Sequence, residues 1–255
     1  MQHLINQQVY KQTNIMRKSV LFISVFLLSI NLHSQKQIDD ANAQVRTVGN
    51  FHGIKSSHGI TVYLTQGNTE AVAVSADNTD MRDKIKTVVE NGILRVYFDT
   101  ENWKVWRNFS NKKLRAYISV KEIDRLEASS GSSVHLEGLL RSANLKLDAS
   151  SGASIDGKLE ADSMEVDQSS GSTITVSGQI NGRLKVDASS GSIFQGYNLS
   201  VENCDAETSS GAGVQITVNK ELSVEASSGG YIFYKGDGMI RNVHTSSGGS
   251  VKRKR

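Results

Sequence analysis

Counted from seven glycines, the chain repeats one pattern of apolar and polar positions. The glycines are Gly131, Gly152, Gly171, Gly191, Gly211, Gly229 and Gly248; two serines precede each, and they stand 18 to 21 residues apart. Three residues after them come Val134, Ile155, Ile174, Phe194, Val214, Ile232 and Val251. Five before them come Leu126, Leu147, Val166, Val186, Ala206, Val224 and Val243. Seven before the five middle glycines come Leu145, Met164, Leu184, Cys204 and Leu222. Odd offsets are apolar or small and even offsets mostly polar, which is the period-two alternation of strands.

A unit of about 20 residues cannot bury its own apolar face, so the units must stack. Stacking turns each odd column into a continuous interior ladder. The predicted fold is all-β: a single-stranded, right-handed parallel β-helix, or β-solenoid, with Ser-Ser-Gly corners. Seven rungs would make a rod about 30 Å long. Glycine permits the corner turn, and the alternation puts the serine before it (Ser130 in the first copy) on the inward side. The residue after each glycine is Ser, Ala or Gly, which suits a tight interior bend.

Residues 45–125 are less regular but still strand-rich. Ser56-Ser57-His58-Gly59 is a degenerate corner followed by alternating Ile60, Val62 and Leu64. Met81, Ile85, Val88 and Val89 could share a helical face, but Asn91-Gly92 reads as a hairpin turn and claims the second half of that stretch as strand. The expected organisation is a signal peptide over 1–34, with Met16 as a possible true start, a linker over 35–44, an N-terminal cap over 45–125 and regular repeats with a basic tail over 126–255.

The leader rests on Arg17 and Lys18, then an apolar run from Val20 to Ile30, then Leu32-His33-Ser34 as a cleavage site. That run is too short to span a bilayer. Export follows, to the periplasm, the outer-membrane surface or the medium. Residues 1–34 hold three bases (Lys11, Arg17, Lys18) and no acid, so the remainder balances 26 bases against 26 acids. The basic pI of the whole chain is therefore no argument for nucleic acid. Proline is absent where average usage gives about a dozen, as suits a chain mostly hydrogen-bonded as strand. Cys204, the single cysteine, excludes an intrachain disulfide; its inward column makes it a buried, inert thiol.

Three features carry candidate chemistry. Trp103, Lys104, Trp106 and Arg107 form an aromatic and basic contact surface, since ring faces stack on sugars and arginine adds cation–π attraction; the plainer reading is that the aromatics cover the rod's end. Glu127, Asp148, Asp167, Asp187, Glu207 and Glu225 form an outward carboxylate column, with Arg125, Lys146 and Lys185 two residues earlier on the same face. Calcium needs six to eight oxygens converging on a point, and a straight ladder does not converge, so a solvated charged face is expected and no metal or other cofactor. Lys252-Arg253-Lys254-Arg255 would cap the open end of the rod.

The order "FHGIKSSHGITVYLTQG", "AVAVSADN", "VVENGILRVYF" and then repeated "DASSGS" corners resembles the auto-transporter adhesin, head GIN domain family, over about residues 46–250. The Gly-Ile-Asn that names that domain reads Gly59-Ile60-Thr61 here. The resemblance implies a right-handed β-helix at the cell envelope and carries over no functional residue. His52, His58, His135 and His244 match no ligand or nucleophile spacing, and uniform repeats leave no room for the long loops with which β-helix polysaccharide enzymes build a groove. The expectation is a non-catalytic, adhesin-like module that binds a glycan or a surface protein, with a structural envelope role and a polysaccharide-active enzyme as rivals.

Overall fold

The computed structural model describes residues 40–100 and 113–254, all within one compact unit, Asp40–Arg255. Its basic device is the corner turn. In Ser129-Ser130-Gly131-Ser132 the Ser132 N–H donates to the Ser129 carbonyl at 3.1 Å. Both central residues have positive φ, 51° at Ser130 and 70° at Gly131, which defines a type I′ turn. The other six Ser-Ser-Gly copies repeat these angles closely, and His58-Gly59 makes an eighth turn of the same kind.

The turns are hydrogen-bonded to one another. The Gly59 N–H donates to the Ser130 carbonyl, Gly131 to Ser151, Gly152 to Ser170, and so on to Gly229 and Ser247, each at 3.0 or 3.1 Å. One expectation is corrected here. Two successive left-handed residues reverse the chain, so the serine before each glycine stays outside, exposed at the apex. The inward place passes to the residue after the glycine: Ser132, Ser172 and Ser192 are fully buried. Ser132 Oγ and Ser172 Oγ donate to the Ser56 and Ala149 carbonyls of the preceding coil.

Between corners the chain runs as long bent strands: β9 (Ser133–Ala149), β10 (Ser154–Gln168), β11 (Thr173–Ala188), β12 (Ile193–Thr208) and β13 (Gly213–Ala226). Each pairs in parallel with the next. The β11–β12 ladder breaks between Thr175 and Ser177 and between Ile180 and Arg183, dividing the coil into a post-turn, a middle and a pre-turn run. The expected apolar columns fall in register: Leu147, Val166, Val186, Ala206 and Val224 are successive partners. So are Leu145, Met164, Leu184, Cys204 and Leu222, and all ten are buried.

The N-terminal coils stack out of chain order. β2 (Gly53–Ser56) lies between β6 (Ile93–Phe98) and β8 (Arg125–Ala128). β3 (Thr61–Gln66) lies between β7 (Arg115–Val120) and β9. The coil 53–66 is thus flanked by coils that both follow it in sequence. The outermost coil is closed by antiparallel strands: β5 (Ile85–Glu90) on β6, β4 (Ala71–Ser75) on β7, and β1 (Gln44–Arg46) on β4. As expected, β5 and β6 form a hairpin through Asn91 and Gly92, φ 51° and 76°. Among the described residues only Thr79–Asp83 is helical (α1), its Asn78 side chain accepting from the Met81 N–H at 2.9 Å.

At the other end, β14 (Tyr231–Lys235) and β15 (Met239–Thr245) pair with β13, and β16 (Ser250–Arg253) pairs with β14. The basic run does not cover this end. Lys252 and Arg253 extend β16, Lys254 N–H donates to the Tyr234 carbonyl, and Arg253 reaches back to the Gly236 carbonyl and Asp237. Backbone pairing holds these residues along the side of the last post-turn run, so Met239, Ile240 and Val243 stay exposed.

Two glycines separate conformational from steric demand. A Cβ on Gly171 would meet nothing within 4 Å, so only its left-handed φ resists substitution. A Cβ on Gly178, at the bend between post-turn and middle runs, would lie 1.9 Å from the Leu159 carbonyl oxygen. Urea denaturation should show Gly171→Ala costing about 1 kcal/mol and Gly178→Ala about 3 kcal/mol. Ser170→Asn should stabilise by about 0.5 kcal/mol, because Asn-Gly suits a type I′ turn better than Ser-Gly.

Candidate functional site

Trp103, Lys104, Trp106 and Arg107 lie outside the described residues. Their flanks show where the segment attaches. Ser57 N–H donates to the Val96 carbonyl and Thr61 N–H to the Leu114 carbonyl. Val96 and Leu114, on its described flanks, thus partner the residues between which the neighbouring coil makes its corner.

The pre-turn face carries the expected carboxylate column. Glu127, Asp148, Asp167, Asp187, Glu207 and Glu225 are partners in unbroken register. With Ser129, Ser150, Ser169, Ser189 and Ser209, the first five of them line a groove of about 610 Å³ crossing successive coils. Repulsion is relieved by basic side chains seated between rungs. Lys55 bonds Glu127 at 2.6 Å, Arg125 bridges Glu127 and Asp148, and Lys146 reaches Asp167 at 2.6 Å with Asp148 and Glu165 within 4 Å. Lys185 pairs with Asp187 at 2.8 Å. Among the described residues no three metal-donor side chains converge. Glu207 and Glu225 are exposed and make no ion pair with a described residue.

Burial splits the column electrostatically. It opposes ionisation of Glu127, but Lys55 and Arg125 outweigh it and hold that carboxyl below its ordinary range. At Asp148 burial dominates; Lys146 and Arg125 pull the other way, while Asp167 and Glu127 add to the rise, and the net shift is upward. Glu127 therefore contributes stability above its unfolded pKa that is lost as pH falls through its lower folded value. Asp148 contributes stability when protonated that is lost as pH rises through its raised value.

Cys204 is buried in its inward column, and burial pushes the thiol far up, so it fits the packing role expected of it.

The post-turn face was not singled out by sequence reasoning, and it concentrates the aromatics. Four residues after each corner glycine the outward column reads Tyr63, His135, Asp156, Thr175, Gln195, Gln215, Phe233 and Lys252, with Tyr117 beyond Tyr63. Tyr63 stacks on Tyr117 at 5.4 Å and meets the His135 ring at 5.5 Å. His135 Nδ1 is 2.7 Å from Asp156. Burial, reinforced by a 2.9 Å hydrogen bond to Asp40, pushes the Tyr117 phenol up to about 12. At the far end Tyr231 packs against Phe233 at 5.0 Å, and Lys254 lies 4.2 Å from the Phe233 ring centre.

Between these aromatic ends lies an open groove of about 520 Å³, floored by Asp156, Thr175, Gln195 and Gln215 and flanked by Tyr197. A bulge places Tyr197 there. The β12–β13 register jumps from Gly196↔Ile216 to Ser200↔Thr217, which leaves Tyr197, Asn198 and Leu199 outside the backbone ladder, with the Tyr197 carbonyl accepting from Thr217 Oγ1 at 2.8 Å. The legible signal was offset four: its residue types vary from rung to rung, whereas the structural columns stay uniform.

These surfaces define a β-solenoid that displays periodic strips of side chains, with its interior filled. Residues 50–238 match the family described as putative auto-transporter adhesin, head GIN domain, and the chain belongs to that family. Solved structures of similar fold include a putative adhesin from Bacteroides fragilis, 16% identical over 83% of this chain and 96% of that one, TM-score 0.74. Others are a putative lipid binding protein from Parabacteroides distasonis (16% identical, 85% and 98% covered, TM-score 0.66) and a putative adhesin from Parabacteroides merdae (16%, 84% and 95%, TM-score 0.61). At that identity the likeness concerns the fold. Among curated proteins none matches in sequence.

The carboxylate column yields two opposite predictions. Lys55→Met should lower stability by about 1 kcal/mol at pH 7, and the loss should shrink as pH falls through the lowered folded value of Glu127. Asp148→Asn should raise the melting temperature at pH 7, the gain fading as pH falls. Thermal melts from pH 7 downward check the pair. Cys204 should resist a thiol reagent in the native protein and react fully in urea.

Proposed function

We propose that the chain is an exported, non-catalytic binding module of the bacterial cell envelope that holds an extended surface polymer or a surface protein. The observation that carries this reading is the pair of open grooves running across successive coils, each presenting one side chain per rung. A surface that repeats along an axis suits a ligand that is itself extended. Membership of an adhesin-like family agrees with it. The apolar run at 20–30 supplies the route for export, and no helix among the described residues is long and apolar enough to cross a membrane. The His–Asp pairs, His52–Asp124 and His135–Asp156, stand partly exposed, and no serine, cysteine or lysine is hydrogen-bonded to either ring. Trp103, Lys104, Trp106 and Arg107 are proposed as a further contact.

The test is retention of labelled protein by envelope glycan and envelope protein fractions. Wild type should bind one of them, and Trp103→Ala/Trp106→Ala should bind about tenfold more weakly. A folded wild type retained by neither fraction would overturn the reading in favour of a structural role.

A further inference from the structure

Of the described aromatics, Tyr63, Tyr117, Tyr197, Tyr231 and Phe233 share the post-turn face, and the outward column between them (Asp156, Thr175, Gln195 and Gln215) is polar. We propose that this strip binds a neutral, extended polysaccharide whose chain runs along the rod axis. The inference rests on the reading of the protein as a binding module and names its ligand class.

Three observations carry it. First, the groove's hydrogen-bonding capacity is unspent. Gln195 uses only its carbonyl oxygen, accepting from Thr175 Oγ1 at 3.2 Å, and the Gln215 amide bonds to no described residue. On the pre-turn face, by contrast, most acids are already paired with bases. Amides and hydroxyls arranged one per rung, about 4.8 Å apart, match a ligand that offers hydroxyls at a similar rise. Second, aromatic rings bracket the polar floor, as a sugar face requires. Tyr197 is put in place by an irregularity that the stacking does not need. Tyr231 lies across Gly213, where a Cβ would stand 2.1 Å from Cζ, so its ring can lie close against the sheet. Third, the groove holds no row of bases. Asp156 is engaged by His135, Lys235 lies over the Tyr197 ring at 4.9 Å, and Lys158 is the one base among the lining residues, so an anionic polymer finds no repeating cation to follow. A protein partner would be expected to meet an apolar centre. The exposed large aliphatic residues (Val45, Val88, Met239, Ile240 and Val243) are not in this groove.

The experiment is affinity electrophoresis of the full chain in gels containing hydroxyethyl-cellulose, galactomannan or polygalacturonate. Retardation is expected in a neutral gel and not in polygalacturonate. Tyr197→Ala with Gln195→Ala and Gln215→Ala should weaken it by about tenfold or more, whereas Asp162→Asn, an exposed change in neither groove, should leave it within about twofold. Circular dichroism melts establish whether the triple variant folds; if it does not, Gln215→Glu alone, an isosteric change at a half-buried position, should still reduce retardation several-fold. No retardation in either neutral gel, or retardation that the folded variants keep, overturns the proposal. Capture of an envelope protein without any glycan binding would sink it while leaving the broader binding role standing.

Discussion

The hydrogen bond from each corner glycine to the serine carbonyl of the next corner is the constraint on which the rest depends. To make it, two residues per coil adopt left-handed backbone, and one of them carries a Cβ, at a cost on the order of 1 kcal/mol for each such serine. The return is cumulative. Once corners align, every residue at a given offset lies against its counterparts above and below, so one apolar choice made seven times becomes an unbroken interior ladder. The corner also sorts polarity: of seven buried polar side chains among the described residues, Ser56, Ser132, Gln168, Ser172, Ser192 and Thr208 lie beside it; the Ser132 and Ser172 hydroxyls reach carbonyls of the neighbouring coil, whereas those of Ser56, Ser192 and Thr208 find no partner among the described residues.

Alignment has a price outside the core, because it stacks like charges as readily as like methyl groups. The pre-turn carboxylates meet it with cations that each serve two rungs, as Arg125 and Lys146 do. The post-turn face meets it by varying the residue type from rung to rung. Uniform columns are what the fold needs; the varied column is free to answer to something else.

How much of this was legible in the sequence depended on how local the signal was. Period-two alternation around the glycines marked the coils, and Asn91-Gly92 marked the hairpin, because strand parity and type I′ turns leave local traces. The serine before glycine was placed inward because alternation was carried through the turn, where two left-handed residues suspend it. The basic tail was read as a lid, although Lys254 is held along the last coil by the Tyr234 carbonyl and the Phe233 ring. The aromatic strip went unseen because its members, from Tyr63 to Phe233, are gathered from coils far apart in the chain.

The placement of the coil 53–66 between two later ones decides where such a rod can change length. Both edges of β2 and β3 are occupied, so a duplicated unit has no free ladder there to join. Beyond β8 each coil touches only its predecessor and its successor, and a copied 20-residue unit can slip in with its corner, its charge bridge and its share of both strips. Reach along a target is thus adjustable one rung at a time by gene duplication, while the capped end stays as it is.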